Sequence, residues 1–408
     1  MSTEIIVRQA TNDDLDTIGQ IMAAGFGGDA SQWRANLEGN PRYGVNNMVI
    51  AEIDGQPVGN ATSFSTQMWL SGVPLQMGAV ADVVTLPAFQ NQGVASTMMQ
   101  HLLQKMADQG MAISVLFPAS YGIYSRCGYA DAAVWHAYSI EPNNVIITSE
   151  AEQVRPFVDD DLATIRSLYR GSQLSQADGR LTRSNAWWDS LVTLPHRTGP
   201  NHIVVYDGDM GMEGYLKYSL TEDKGLKVRE MFVHSDAAYR GLWSHLAGQP
   251  DVTRIEYLAS ADDPILHLLK EPRDSAGGNR GWIFNDIYHA TSATMLRIID
   301  LSEALTSRFY PHNMMGNRVI QLSDPNLSAN QELINFRIVD GRPDIIPVEG
   351  QPPQIESDVA TFSQVFCGFL SPEMARRLGK LQADDDTIEW LSKAMATKPL
   401  FIHADDWF

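Results

Sequence analysis

Between the apolar run VADVVTL and the stretch VASTMMQHLLQKM lies the segment QNQGVA, in which Gln90, Gly93 and Ala95 form the pattern Gln-x-x-Gly-x-Ala. Small residues at a helix start let backbone N–H groups converge on an anion, where the helix dipole also favours negative charge. Such a pocket suits a pyrophosphate. An ordinary strand-to-helix glycine turn has the same pattern, so these six residues alone leave both readings open. Cys127 stands beside Arg126, which lowers a thiol pKa when it is close, but no triad with histidine is readable around it. His101 lies on the helix after the loop and His403 near the chain's end, and each reads as a surface or core residue before a base. The two cysteines and ten histidines show no four-ligand zinc spacing, so no metal site is expected. The sequence stops on DDWF, an acidic pair followed by two aromatic residues, where chain ends are commonly polar and frayed.

The elements that position these groups follow from periodicity. IIV reads as a strand, and NDDLDTIGQIMAAGF as a capped helix with Leu15, Ile18, Ile21 and Met22 on one face. Asp54-Gly55 joins two apolar stretches as a hairpin signal. The strand MGAVADVVTL, the loop and helix of 86–106, and the buried strand MAISVLF complete the order β-α-β-β-β-α-β of a mixed α/β domain. Met98 and Met99 sit at core spacing on that helix. After residue 149 the pattern restarts with VRPFVDDDLATIRSLYRG, and VVTLPAFQNQGVAST aligns with MFVHSDAAYRGLWSH when Gly93 is placed on Gly241, an offset of 241 minus 93, or 148 residues. A repeat of that length is a duplicated domain. In the second copy Ala238 and Trp243 replace Gln90 and Ala95, and an indole there is expected to exclude a pyrophosphate. The last third reads as a strand and helix in ATMLRIIDLSEALTSRFY, a hairpin in VIQLSDPNLSANQELINFRIVDG, and a Pro-rich connection and helix in DIIPVEGQPPQIESDVATFSQVFCGFL.

With 408 residues the chain exceeds one ordinary hydrophobic core, which predicts two or three domains. Apolar residues make up 44% and charged residues 19%, which is globular composition. A net charge of -19 argues against nucleic acid or an anionic membrane surface and favours a cationic small molecule. The first residues lack a signal-peptide layout and no apolar run reaches about 18 residues, so a reducing, cytoplasmic location is expected.

The strands flanking QNQGVA, the segment ASYGIYSRCGYADA, the duplication and the aromatic C-terminus together resemble the enhanced intracellular survival family within the GCN5-related N-acetyltransferases (GNAT), whose members carry Ile-Tyr-x-Arg-x-Gly-Tyr where this chain has Ile123, Tyr124, Arg126, Gly128 and Tyr129. The resemblance spans essentially the whole chain and implies an α/β (α+β) architecture: a catalytic acetyltransferase domain at 1–148, a degenerate copy at 149–288, and a sterol-carrier-protein-like domain at 289–408. It implies acetyl-CoA as cosubstrate, held by the strand edge of Val83, Val84 and Thr85, by the loop of Gln90, Asn91, Gln92, Gly93, Val94, Ala95 and Ser96, and near Ala119 and Ser120. Tyr124 matches the family's general acid, and the terminal carboxylate of Phe408 its base, directly or through water. An α-carboxyl with a pKa of about 3.3–3.7 is a poor match for an ammonium near 10, so desolvation or a water relay must help. Asp29, Trp33, Asp405 and Asp406 are candidates for binding the amine, which the family takes from polyamino compounds, aminoglycosides among them, and from lysine side chains. The Gln-Asn-Gln loop departs from the commoner Arg-rich one and leaves fewer charges for a 3'-phosphate. A homo-hexamer is also implied. The competing reading is a lipid or apolar-ligand carrier that uses the C-terminal domain, with the acetyltransferase halves as scaffold.

Overall fold

The computed structural model describes residues 4–171, 178–193, 201–273 and 287–408. Its first half runs β1 (Ile5–Gln9), α1 (Leu15–Phe26), α2 (Ala30–Glu38), β2 (Met48–Ile53), β3 (Gln56–Leu70), β4 (Val73–Thr85), α3 (Val94–Asp108), β5 (Ile113–Leu116), α4 (Tyr121–Arg126) and β6 (Ala130–Ile140). The second half repeats most of this order: β7 (Val154–Pro156), α5 (Leu162–Gly171), α6 (Asn185–Thr193), β8 (Asn201–Gly208), β9 (Gly211–Leu220), β10 (Gly225–Val233), α7 (Asp236–Ala247), β11 (Arg254–Ala259) and β12 (His289–Ile298). Thr85 and Val233, the last residues of β4 and β10, are themselves 148 positions apart, so the repeat seen in sequence coincides with the end of the fourth strand in each half.

The halves exchange their last strands. The twelve strands form one sheet in the order β1-β2-β3-β4-β5-β12-β6-β11-β10-β9-β8-β7. β12, which the sequence reading placed at the head of the last third, lies between β5 and β6 and pairs antiparallel with both, while β6 pairs antiparallel with β11. The reason lies in β5. All four of its residues are buried, and because successive residues direct their N–H and C=O groups to alternate edges, the strand needs a partner on both. Met77 to Val80 of β4 supply one edge in parallel, and Met295 to Ile298 the other in antiparallel.

A third unit follows: α8 (Leu301–Thr306), β13 (Gly316–Ser323), β14 (Ile334–Val339), β15 (Arg342–Ile346), β16 (Ile355–Asp358), α9 (Val359–Phe366), α10 (Pro372–Arg377), β17 (Leu381–Gln382) and α11 (Asp385–Ala394), with a five-stranded sheet ordered β15-β14-β13-β16-β17. Phe336, Phe362 and Phe366 of this unit share a core with Phe64, Met77, Val115 and Trp135 of the large sheet. Ser363 and Gln364 of α9 fasten it there, accepting from Ile298 N at 2.9 Å and donating to Asp131 O at 3.0 Å. Helix α3 covers the opposite face through Val94, Met98, Leu102 and Met106. No helix among the described residues is long and apolar enough to cross a membrane.

Candidate active site

Pairing of β4 with β5 ends at Val80 and Leu116. Beyond that fork Val84 and Thr85 still pair with Asn60 and Gly59 of β3 but have lost β5. Thr85 Oγ1 is buried there with no protein partner. The eight residues 86–93 then lead to α3. Gly93 is the N-cap of this helix at φ +91°, and no side chain caps the first turn. A Cβ at Gly93 would meet only Ile5 Cδ1, at 3.9 Å. The glycine is therefore required by its left-handed backbone more than by space, and as a cap without side-chain oxygen it leaves the first N–H groups of α3 to a ligand. Asn91, also left-handed at φ +61°, and Gln92 and Gln90 are exposed on the loop, Val94 is buried beneath it, and Ala95 and Ser96 open the helix half-buried. An unpaired strand edge, an orphaned hydroxyl and an uncapped helix start suit the amides and pyrophosphate of acetyl-CoA, so these residues fit that group. Ala119 and Ser120 are exposed on the far side of the fork, where Ser120 is the N-cap residue of α4.

Tyr124 lies on α4, buried, with its ring 6.4 Å from that of Tyr129. Burial pushes its phenol up to about 12, with Cys127 adding to the effect. Tyr129 in turn shares a 2.7 Å hydrogen bond with the buried Ser114 of β5. The end of α4 is braced from β12: Arg297 is fully buried, donates to the Cys127 carbonyl and pairs with Asp324 of the third unit. Gly128 beside it has φ +82°, and a Cβ there would come within 2.5 Å of Arg297 Nη1. Burial raises the Cys127 thiol against the pull of Arg297 and Arg126, so Cys127 is packing.

The chain's end arrives at the same fork. Phe408 is half-buried, with its ring 5.1 Å from Phe117, the residue after β5, and 5.5 Å from Phe64. Trp407 stacks on Trp135 at 6.0 Å, and its carbonyl accepts from Arg42. Asp405 and Asp406, read in the sequence as amine ligands, are buried and face cations of the second half. Asp406 accepts from Arg183 Nε at 2.6 Å and from Tyr169 at 3.0 Å, and Arg183 also pairs with Glu230. Asp405 meets Lys217 at 2.9 Å and Arg229 at 3.6 Å. Buried carboxylates are costly unless paired, and this pairing anchors the tail and takes both away from a solvent-borne amine. His403 packs on Phe232 at 4.5 Å, and burial lowers it to about 4, which keeps the imidazole neutral.

Asp29 is exposed and caps α2, accepting from Ser31 N at 2.8 Å and Gln32 N at 3.1 Å; these bonds, with the Ser31 hydroxyl the strongest, lower its pKa. Trp33 Nε1 donates to Gly27 O at 2.8 Å and its ring lies 6.0 Å from the exposed Phe26, so Asp29 and Trp33 share one surface rim. The structure adds residues that the sequence reading passed over. Asp82, at φ +53°, accepts from Tyr43 at 2.7 Å and Thr62 at 3.0 Å, and Tyr43 stacks on Phe64 at 4.9 Å. A lone carboxylate inside the apolar run VADVVTL was the signal for it. Arg42 and Arg183 had none, since the tail residues they hold, Trp407 and Asp406, lie hundreds of residues away.

In the second half only His234 and Ser235 separate β10 from α7, Ser235 caps that helix by accepting from Ala238 N at 3.1 Å, and Gly241 lies inside the helix. The loop is missing, and one N–H of the α7 start is already taken by Ser235. Trp243, expected to block a pyrophosphate, is instead fully buried in the core beneath α7. No group of three or more His, Cys, Asp or Glu able to hold a metal occurs among the described residues.

Residues 6–132 and 179–298 each match a family described as an acetyltransferase (GNAT) domain, and residues 301–402 match a sterol carrier protein domain. The chain is 24% identical over 345 residues to N-acetyltransferase Eis of Mycobacterium tuberculosis, covering 81% of each chain. Among solved structures it is similar to a GCN5-related N-acetyltransferase from Anabaena variabilis (TM-score 0.85, 20% identity, 99% of this chain and 100% of that one). It is also similar to Eis1 from Mycobacterium abscessus (TM-score 0.76, 20% identity, all of both chains).

Proposed function

From the premise that the chain is an Eis-like N-acetyltransferase, with two GNAT domains and a sterol carrier protein domain, we propose that its first domain acetylates a primary amine of a cationic, polyamine- or aminoglycoside-like compound or of a lysine side chain. The observation that carries this reading is the seating of Phe408 against Phe117 and Phe64, at the fork where β4 leaves β5. Acetyl-CoA supplies the activated acetyl group when bound. Val83, Val84 and Thr85 present the strand edge to it, and the loop of Gln90 to Ser96, with Ala119 and Ser120 opposite, holds its phosphate end. The Phe408 carboxylate takes the proton of the amine, directly or through water, and the Tyr124 phenol, kept protonated by burial, donates toward the leaving sulfur. Positioning and proton transfer together supply the rate. Asp29 and Trp33 form the outer rim that meets the acceptor. A homo-hexameric, cytoplasmic enzyme belongs to the same proposal.

The cavity of about 470 Å³ on the third unit is lined by Gln321, Ser323, Glu356, Asp358 and Lys380 among others, which does not favour an apolar ligand there. The test is release of free coenzyme A over a panel of aminoglycosides, polyamines and lysine peptides, with the intact chain and one lacking Phe408. Turnover that vanishes on truncation, with acetyl-CoA binding near normal, is the expected result. Activity retained by the truncated chain overturns the terminal base, and failure of the intact chain to bind acetyl-CoA overturns the enzyme reading.

A further inference from the structure

Helix α4 carries Tyr124 but has only six residues, and isolated helices shorter than about 12–15 residues are marginal in water. Its form is imposed from outside, at both ends. At the first turn Tyr121, Asp131 of β6 and Ser292 of β12 make one hydrogen-bonded cluster, with Ser292 donating to Asp131 at 2.6 Å. At the last turn the Tyr124 and Ser125 carbonyls take the N–H groups of Cys127, Gly128 and Tyr129, which leaves the carbonyls of Arg126 and Cys127 without a donor from the helix. Side chains remote in sequence supply both. Asn326 Nδ2 donates to Arg126 O at 3.1 Å, and Arg297 of β12 donates to Cys127 O, placing a cation where the helix dipole favours one.

Both donors are organised by Asp324, in the loop of residues 324–333 that follows β13. Its carboxylate is fully buried. Oδ2 pairs with Arg297 and accepts from Asn330 Nδ2 at 2.9 Å, while Oδ1 accepts from Asn326 N at 3.0 Å and Leu327 N at 3.2 Å. Asp324 thus compensates a buried guanidinium, which is costly unpaired, and fixes the backbone that carries Asn326. Leu327 is buried in the same core as Tyr124 and Tyr129. Asn330 ties the loop to the end of β12, donating to Ile299 O at 3.0 Å and accepting from Leu301 N at 3.0 Å.

We propose that the loop after β13, through Asp324 and Asn326, positions the general acid, so that the third unit sets the orientation of α4 as well as carrying the terminal carboxylate. This rests on the assignment of Tyr124 as acid and deepens it. Asp324 and Asn326 are positioning residues, which act on the reaction only through the backbone of α4. A buried phenol follows the helix that bears it, and a misplacement of about 1 Å in a reacting group can cost about 10²-fold in rate.

Asn326→Ala removes the bond to the Arg126 carbonyl and leaves the backbone N–H of residue 326 on Asp324. In the full chain, kcat and KM are measured with acetyl-CoA and the amine of the panel that is turned over fastest, for the wild type, Asn326→Ala, Tyr124→Phe and the double variant. Acetyl-CoA binding is followed by calorimetry as the control for folding. In Asn326→Ala kcat is expected to fall about two- to tenfold, the range of one hydrogen bond, with KM and the acetyl-CoA dissociation constant unchanged. In the Tyr124→Phe background the same substitution is expected to change kcat by less than about 1.5-fold, because residues that act through one group are not additive. A loss of equal size in both backgrounds, a loss in KM alone, or no loss overturns the proposal. Should the wild type turn over no amine, or Tyr124→Phe leave kcat unchanged, the acid reading is lost and positioning is read on the helix itself, by amide hydrogen exchange of residues 121–128. Exchange there at least about threefold faster in Asn326→Ala, with the rest of the chain unchanged, supports the loop as the brace of α4 without the acid. Equal exchange overturns the inference too.

Discussion

The phenol of Tyr124 is the group whose role can be separated most cleanly from folding. Tyr124→Phe removes one oxygen from a buried ring that packs on Tyr129. With general acid catalysis worth about 10²–10⁴-fold, kcat is expected to fall by about that factor while the acetyl-CoA dissociation constant holds. Thiol release and calorimetry on the same preparation check both halves. The pH dependence has a definite sign. A phenol raised to about 12 keeps its proton as pH rises through its ordinary value of 10.0 and loses it only higher. Wild-type kcat is therefore expected to show no alkaline fall up to about pH 10, and a fall that begins below the ordinary tyrosine pKa would show the phenol ionising there. At this scale the motif Ile123 to Tyr129 was legible in sequence because it is local, on one short helix and its cap. Asp405 and Asp406 were misread because a carboxylate's neighbours decide whether it meets a ligand or a buried arginine, and those neighbours are remote in the chain.

Among the elements, the proposed site rests mostly on the start of α3 and the C-terminal tail. Gly93→Ala forces a side chain into φ +91°, at a cost of about 1–2 kcal/mol. Relief of that strain would turn the loop away from the helix start. The expected outcome is a folded protein whose acetyl-CoA dissociation constant rises about tenfold, by calorimetry, the equivalent of about 1.4 kcal/mol. The tail depends on a different element, the segment bearing Arg183. Arg183→Met leaves Glu230 and Asp406 buried without their shared cation, and breaking a buried pair costs about 3–5 kcal/mol. Urea unfolding is expected to show a loss of that order, accompanied by a fall in turnover as the tail loosens; unchanged stability and turnover would mean that the tail is held without the pair. Strands and helices here were largely readable from periodicity, and the Gly93 loop from its residue types. The missing loop of the second half was not legible, since the sequence reading expected the Trp243 indole to block that copy. Aligned letters place Gly241 on Gly93, and only the backbone shows that Gly241 is inside a helix already capped by Ser235.

At the scale of the whole molecule, exchange of β6 and β12 makes each half depend on the other, and the third unit shares a core with the face that receives the tail. One chain is accordingly expected to bind one acetyl-CoA, and a calorimetric stoichiometry of two would show a working second site. The sequence by itself determined the duplication, the glycine loop before α3, the Tyr124 motif and the aromatic end, because each is written in contiguous residues or in a fixed spacing. Tertiary structure alone decided that β12 completes the first half's sheet, that Asp82 stands at the fork, and that Arg183 and Arg42 hold the terminus against Phe64 and Phe117. Those outcomes turn on pairings between residues tens to hundreds of positions apart, where burial and charge compensation select the partner and no local pattern records the choice.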